Sequence, residues 1–198
     1  MTSKDPQAPP APRKPQSLRP LALPLARPVL ATLRAGDTCT LTGPLFTLRD
    51  AGHILLLAEL QKEGRLPFGL DGQTIFYAGP TPPAAGRPFG AIGPTTASRM
   101  DFAAPALHRA GIVATIGKGP RSPEVAQACK ETGSAYFVAT GGAAAFLAKC
   151  VETSTTLAYD ELGTEALRMI EVVDFPVFVG IDVQGNDVYH RNDGCPPG

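Results

Sequence analysis

Strand-like and helix-like stretches alternate along most of this chain, and glycine or proline marks nearly every change. Short runs rich in β-branched and aromatic residues predict strands, and apolar residues at helical spacing predict helices. The predicted strands span residues 38–42, 74–78, 112–116, 135–139, 169–173 and 177–183. The predicted helices span residues 47–64, 97–109 and 143–151, with a further helix opening at Ser122. This alternation favours an α/β domain with a mixed sheet and packed helices.

The beginning of the chain differs from the rest in composition. Eight of the first 28 residues are proline, which predicts an extended, polyproline-like arm and excludes a helical targeting segment. We therefore predict an arm over residues 1–29, a single domain over 30–192 and a short tail over 193–198. No signal-peptide core is evident, so the cytoplasm is the expected location.

The charge balance excludes several classes of function. Eighteen basic and 18 acidic residues give a formal net charge of zero, so no basic excess is available for nucleic acid or an anionic membrane. No apolar run approaches the roughly 20 residues of a membrane span. The cysteines (Cys39, Cys129, Cys150 and Cys195) are scattered and form no CxxC, so we predict reduced thiols and no metal site in this chain.

Three loops combine turn residues with one cation each. They are residues 47–53 with Arg49, residues 93–101 with Arg99 and residues 116–119 with Lys118. Each lies at the edge of a predicted element, where a rigid scaffold presents side chains to a ligand. The three cations would suit a small anion with more than one carboxylate. No acid–base dyad accompanies them, so the loops resemble half of an active site.

The two arginines can be interpreted in two ways. Arg49 and Arg99 fall in the first turns of predicted helices, where the helix dipole disfavours a cation unless an anion compensates. A bound ligand is one such anion. The other interpretation is a surface ion pair with the nearby Asp50 and Asp101.

The remaining polar candidates have equally open alternatives. Thr95 and Thr96 either cap a helix or present a hydroxyl to a ligand. Lys118, between two glycines, belongs either to a flexible turn or to a close carboxylate contact. A lone helical histidine such as His53 is more often a packed residue than a base.

Several motifs together resemble the class I, iron–sulfur-dependent fumarase family, over about residues 30–190. The resemblance is to the C-terminal domain of that family, which in two-subunit members is the β subunit, and the L(+)-tartrate dehydratase β subunit is similar. The motifs are TLRDAGH at 47–53, YAGPTP at 77–82, GPTTASRMD at 93–101, IGKG at 116–119, GGAAA at 141–145, ELGTE at 161–165 and DFP at 174–176. Leu48 and Gly52 depart from the pattern, and Gly52 would loosen the helix start.

The resemblance implies a fold, a partner and roles for the site residues. It implies a swivelling β/β/α domain that works with an α subunit in a hetero-oligomer of two α and two β chains. The α subunit would hold a [4Fe–4S] cluster whose open iron acts as a Lewis acid on the substrate.

In this chain, Arg49, Arg99 and Lys118 would bind substrate carboxylates, and Thr95 would be the base. Asp50, His53 and Thr96 would support them. The expected reaction is hydration of fumarate to malate. The alternatives are dehydration of L(+)-tartrate and a non-catalytic dicarboxylate-binding domain.

Overall fold

One seven-stranded mixed sheet organises the chain in a computed structural model that describes residues 18–82, 86, 88 and 90–190. The strands are β1 (Arg19–Ala22), β2 (Thr38–Thr47), β3 (Thr74–Phe76), β4 (Ala114–Gly117), β5 (Ala135–Val138), β6 (Val151–Ala158) and β7 (Leu167–Ile181). The α-helices are α1 (Arg27–Leu30), α2 (Asp50–Glu63), α3 (Ala104–Ala110), α4 (Pro123–Thr132) and α5 (Ala144–Leu147). Short 3₁₀ helices lie at Ala97–Met100, Ala148–Cys150 and Asp160–Glu165.

The sheet closes into a small barrel-like ring. Strands β1 to β5 are neighbours in chain order and parallel, and β7 is antiparallel both to β5 and to β2. The pairing of β2 with β7 shifts register between Leu41 and Gly43, opposite a bend at Asp174, where φ is +50°. This bend lets one 15-residue strand pair with β6, β2 and β5 along its length. The predicted α/β fold with a mixed sheet and packed helices is confirmed.

Central strands are buried on both faces, which explains their continuous apolar sequences. In β5, Ala135 and Phe137 belong to one apolar cluster, and Tyr136 and Val138 belong to another. The first cluster includes Leu30 and Leu33 around α1, as well as Leu147 of α5. The second includes Leu56 of α2, Leu107 of α3 and Val125 of α4. The sheet is thus covered by helices on the face that carries the second cluster.

The described fold begins earlier than the predicted start near residue 30. Strand β1 pairs in parallel with β2, from Arg19 beside Cys39 to Ala22 beside Thr42. Leu21, Leu23 and Leu25 are buried in the first apolar cluster, so this proline-containing segment is held by its alternating leucines. Residues 1–17 of the predicted arm, the predicted tail at 193–198 and Cys195 lie outside the described residues.

Two helix predictions need correction. In α2, helical spacing groups Ile54, Leu57 and Ala58 on one apolar face, but Ile54 is 60 % exposed and the buried residues are Gly52, His53 and Leu56. The helix is apolar around most of its circumference, so periodicity alone selects the wrong face.

The predicted helix over 97–109 is two elements, a 3₁₀ turn and α3. Pro105 lies in the first turn of α3 and lacks the N–H that a continuous helix would need there. None of the helices in the described part of the chain combines the length and apolar character needed to cross a membrane.

Candidate functional site

The three cation-bearing loops meet at one edge of the sheet. Strands β2, β3 and β4 are parallel neighbours, with Thr47 beside Phe76 and Phe76 beside Ile116. Their carboxyl ends therefore lie together, and in α/β folds with parallel strands, whether the sheet is open or closed, ligands bind at this end. The loop after β2 carries Arg49, the segment after β3 leads to Thr95 and Arg99, and the loop after β4 carries Lys118.

Asp50 lies between the two arginines. Nε of Arg99 donates to Oδ1 of Asp50 at 2.9 Å, and Nε of Arg49 lies 3.8 Å from Oδ2. The Arg49 side chain is 23 % exposed and that of Arg99 is 50 % exposed. The ion-pair interpretation is thus right for Asp50, which holds Arg99 by a hydrogen bond and lies within ion-pair distance of Arg49 without a hydrogen bond to it.

Glu165 is a site residue to which the sequence assigned no role. Its Oε2 accepts a hydrogen bond from the Ala51 amide (2.9 Å), and its Oε1 lies 3.7 Å from Nη2 of Arg49. It reaches this position because β7 begins beside the end of β2, with Arg168 opposite Thr47. Thr47, where the predicted helix over 47–64 would begin, is instead buried in β2, and the remote Glu165 carboxylate binds the Ala51 amide at the start of α2.

Gly79 lets Arg49 lie close to the backbone. A Cβ atom at position 79 would lie 2.9 Å from Cδ and 3.0 Å from Nη1 of Arg49, and 3.0 Å from the Thr164 carbonyl. Since real Cβ contacts are longer than this, only glycine leaves the arginine in place. The YAGPTP motif therefore contributes space for a guanidinium group.

Thr95 and Lys118 are joined through the backbone. The Thr95 amide donates to the Tyr77 carbonyl (2.7 Å), and the Lys118 amide donates to the Thr95 carbonyl (3.1 Å). The 3₁₀ turn that follows has Thr96 as its N-cap without a side-chain bond, and Thr95 makes no side-chain hydrogen bond within the described residues. The capping alternative is therefore wrong for both threonines, and the half-buried Thr95 hydroxyl faces no competing partner there.

Lys118 has an exposed side chain on a short loop. Its Cδ would lie 3.5 Å from a Cβ atom at Gly141, so the glycine pair after β5 borders the same site.

Asp101 does not pair with Arg99. It pairs with Arg121, whose Nε donates to Oδ1 of Asp101 at 2.6 Å, while Oδ2 accepts the Ser122 amide at 2.7 Å. The ion-pair interpretation is thus wrong for Asp101. The sequence singled out no role for Arg121, because nothing local distinguishes it from the other arginines.

His53 is a packed, neutral residue. It is fully buried, its Nδ1 bonds the Arg49 carbonyl at 2.8 Å, and its ring meets Tyr77 edge-on at 5.1 Å. Burial lowers the pKa of His53 from 6.5 to about 4. Because His53 binds the Arg49 carbonyl, it supports the position of Arg49 and does not act as a base. His108, also buried, has its pKa lowered by burial to about 4.

The two buried histidines predict a pH-dependent stability. Because their folded pKa values lie below the unfolded value of about 6.5, the unfolded chain binds more protons between pH 6.5 and 4. Stability is therefore complete above pH 6.5 and falls as pH drops toward 4. At pH 5 the loss should be about 2 kcal/mol for each histidine.

Urea unfolding at pH 8 and pH 5 measures this loss, and ring-proton NMR follows each histidine. His190→Gln, which changes an exposed ring, is the control and should leave most of the loss in place. Equal stabilities at the two pH values, or a His53 signal that titrates near pH 6.5, would contradict the assignment.

Gly52 tightens the start of α2 rather than loosening it. A Cβ atom at Gly52 would overlap the Leu48 side chain and lie 2.9 Å from the Glu165 carbonyl. We expect Gly52→Ala to lower the free energy of unfolding by about 1–3 kcal/mol through overpacking. Helix propensity alone predicts the opposite, a gain of about 1 kcal/mol.

Thermal and urea unfolding decide the sign of this change. Ala58→Gly, on the exposed side of the same helix, reports propensity alone and should cost about 1 kcal/mol. A Gly52→Ala chain more stable than the unaltered protein would show that the close packing is absent.

The described thiols are separated by the sheet. Cys39 lies in the first apolar cluster and Cys129 in the second, and burial raises the pKa of each thiol to about 11. No group of three His, Cys, Asp or Glu residues in the described ranges could hold a metal ion.

Comparisons with known proteins agree with the motifs. A model of the family described as "Fumarase C-terminus" matches residues 7–192. Fumarate hydratase 2 of Leishmania major is 39 % identical over 167 residues, covering 83 % of this chain and 29 % of that protein. The anaerobic class I fumarate hydratase of Escherichia coli is 40 % identical over 154 residues, covering 77 % and 28 %.

A second group of relatives matches over nearly its whole length. The L(+)-tartrate dehydratase subunit beta of Escherichia coli is 33 % identical over 177 residues, which is 87 % of each chain. The present chain thus spans less than a third of the fumarate hydratases it matches, and most of the tartrate dehydratase subunit.

Proposed function

Because this chain belongs to the fumarase C-terminus family, we propose that it is the β subunit of a class I fumarate hydratase. With an α subunit it would catalyse the reversible hydration of fumarate to (S)-malate in the cytoplasm. The observation that carries this proposal is the convergence of Arg49, Arg99, Lys118 and Thr95 at one sheet edge.

The charges of the site suit a dicarboxylate. Arg49, Arg99 and Lys118 supply three positive charges, while Asp50 and Glu165 supply two negative ones, which leaves one net positive charge before a ligand binds. Arg99 is half-exposed and Lys118 is exposed, so both can reach a substrate. An arginine can hold a carboxylate through two parallel hydrogen bonds, which also fixes the neighbouring carbon.

These residues would act on the carbon that loses its proton. Removing a proton next to a carboxylate places negative charge on that carboxylate, and fixed cations stabilise it without reorganising. The Thr95 hydroxyl, half-buried beside Lys118, is the proposed proton acceptor. A neutral threonine is a weak base, so a group on the partner would have to activate it.

In the proposed assembly, a [4Fe–4S] cluster held by the α subunit would supply a Lewis acid for the hydroxyl that leaves malate. Cys39 and Cys129 lie in different apolar clusters, on opposite faces of the sheet, so they are not placed to share one cluster, which favours this division. The proposed assembly contains two α and two β chains.

L(+)-tartrate dehydratase is the second candidate. It is favoured by the mutual coverage of 87 % with the tartrate dehydratase β subunit of Escherichia coli. The substrate would carry one more hydroxyl, which needs a polar partner. A non-catalytic dicarboxylate-binding domain is a third possibility, but four chemically matched side chains at one edge favour a working site.

Coexpression with the α subunit tests these alternatives. The purified pair is assayed without oxygen on malate, fumarate and L(+)-tartrate. We expect turnover of malate and fumarate well above that of tartrate. A preference for tartrate would select the second candidate, and binding of dicarboxylates without turnover would select the third.

A further inference from the structure

A buried arginine with no part in the proposed chemistry lies beneath the site. The Arg121 side chain is 0 % exposed, and its guanidinium carbon lies 5.3 Å from the ring centre of Tyr77 and 4.8 Å from that of Tyr136. Nε binds Asp101 at 2.6 Å, and Nη1 lies 3.3 Å from the Thr115 hydroxyl. The cation is thus held between two rings and one carboxylate.

Each of these neighbours leads to a different loop of the site. Asp101 follows the 3₁₀ turn that carries Arg99, so the ion pair fixes the end of that turn. Tyr77 accepts the Thr95 amide through its carbonyl (2.7 Å), so the ring under Arg121 belongs to the residue that holds the Thr95 loop.

The third loop is joined to Arg121 twice. Arg121 follows Lys118 in the chain, and the Tyr136 hydroxyl donates to the Gly119 carbonyl at 2.9 Å. The same ring stacks on the guanidinium group. Asp101 also accepts the Ser122 amide (2.7 Å), which binds the far end of this loop to the Arg99 turn.

Arg121 depends on these contacts, because a buried charge is destabilising unless its partners stay in place. Burial alone would lower the pKa of Arg121, but Tyr77, Asp101 and Tyr136 together raise it above its ordinary value. If the cation is removed, Asp101 is left as a partly buried carboxylate without its counter-charge, and the loops joined through it can separate.

We propose that Arg121 is a positioning residue whose buried guanidinium holds the loops of Thr95, Arg99 and Lys118 in one arrangement. The inference rests on the proposed function, since it assigns those three residues to the substrate. It adds a residue that touches none of the reacting atoms and acts through Asp101 and the two tyrosines.

Two substitutions of Arg121 test the proposal in the coexpressed pair. Arg121→Met keeps the length and removes the charge, and we expect kcat/KM to fall about 100-fold, the scale of a 1 Å misplacement. Arg121→Lys keeps the charge without the planar fork and should restore part of that loss. Asp101→Asn should lower kcat/KM to about the same extent as Arg121→Lys. If the Arg121→Met chain does not fold, Asp101→Asn is measured in its place.

Two controls separate positioning from general stability. Leu33→Ala opens a cavity in the other apolar cluster and should lower stability while leaving kcat close to that of the unaltered enzyme. Arg109→Met removes an exposed arginine that binds Glu131 at 2.9 Å, and this variant should change neither stability nor kcat. A fall in kcat for Leu33→Ala equal to that for Arg121→Met would overturn the proposal.

Amide hydrogen exchange on the full chain gives a readout that does not depend on activity. In Arg121→Met or Asp101→Asn, the Thr95 and Lys118 amides should lose protection selectively. The distant Val179 amide donates to the Asp37 carbonyl at 2.9 Å, and its protection should fall only as far as global stability falls. Uniform loss at all three amides, or kcat retained in the Arg121 variants, would overturn the positioning role. Inactivity of the unaltered pair on all dicarboxylates would instead refute the proposed function, and the exchange result would still decide the role of Arg121.

Discussion

Thr95→Ala is expected to lower turnover of the assembled enzyme by about 10²–10⁴-fold, the usual contribution of a proton-transfer group. Stability should change by less than about 0.5 kcal/mol, since the hydroxyl makes no hydrogen bond within the described residues. Affinity for malate should change less than turnover, because the three cations remain. Thr95→Ser should recover much of the rate, as it restores a hydroxyl at the same position.

Exchange of the malate proton for deuterium identifies the step that Thr95 serves. The exchange is followed on the coexpressed pair, at the carbon that loses its proton, with Thr153→Ala as the control. Thr153 is an exposed threonine of β6 to which no role in the site is assigned. If Thr95→Ala exchanges the proton as fast as the unaltered pair, the base lies on the α subunit.

Arg99→Lys should be nearly as damaging, although the charge is kept. Nε of Arg99 is bound to Asp50 (2.9 Å), and the two terminal nitrogens, which make no hydrogen bond within the described residues, remain for a substrate. Lysine offers a single charged nitrogen and cannot serve both partners in this way. A loss of about 2–4 kcal/mol of transition-state stabilisation corresponds to about 30- to 1,000-fold in rate.

Steady-state kinetics and thermal unfolding together test this prediction. Arg109→Lys, at an exposed arginine that also binds a carboxylate, is the matched control and should leave both unchanged. Since the Arg99 side chain is half-exposed, the melting temperature of the Arg99→Lys variant should barely change. Near-normal turnover, or a chain that simply unfolds, would make Arg99 a structural residue.

Local patterns predicted β3, β4 and β5 because each is a short apolar run, but they missed β1 and the polar β6 and divided the single strand β7 into two. The loop motifs suggested that Arg49, Arg99 and Lys118 serve one ligand, and the structure adds the reason that they meet, since the carboxyl ends of parallel strands share one edge. Ring closure could not be predicted in this way. It depends on the pairing of β2 with β7, whose register is set by contacts between distant parts of the chain.

The errors have the same physical origin. Asp50 and Asp101 look equivalent in sequence, yet one binds Arg99 and the other binds Arg121. Glu165 reaches Arg49 only because β7 begins where β2 ends. Local spacing identifies which residues are charged, but long-range pairing decides which charges meet.

The most direct test of the central claim is an add-back titration. The α subunit is purified without oxygen with its iron–sulfur cluster, and malate turnover is measured as this chain is added. We expect the α subunit alone to be inactive. Malate turnover should rise as this chain is added and should saturate at a fixed ratio of the two chains, whereas the Arg99→Lys chain should restore little turnover. Full activity of the α subunit by itself, or activity of this chain alone after reconstitution with iron and sulfide, would contradict the claim that this chain supplies one half of the site.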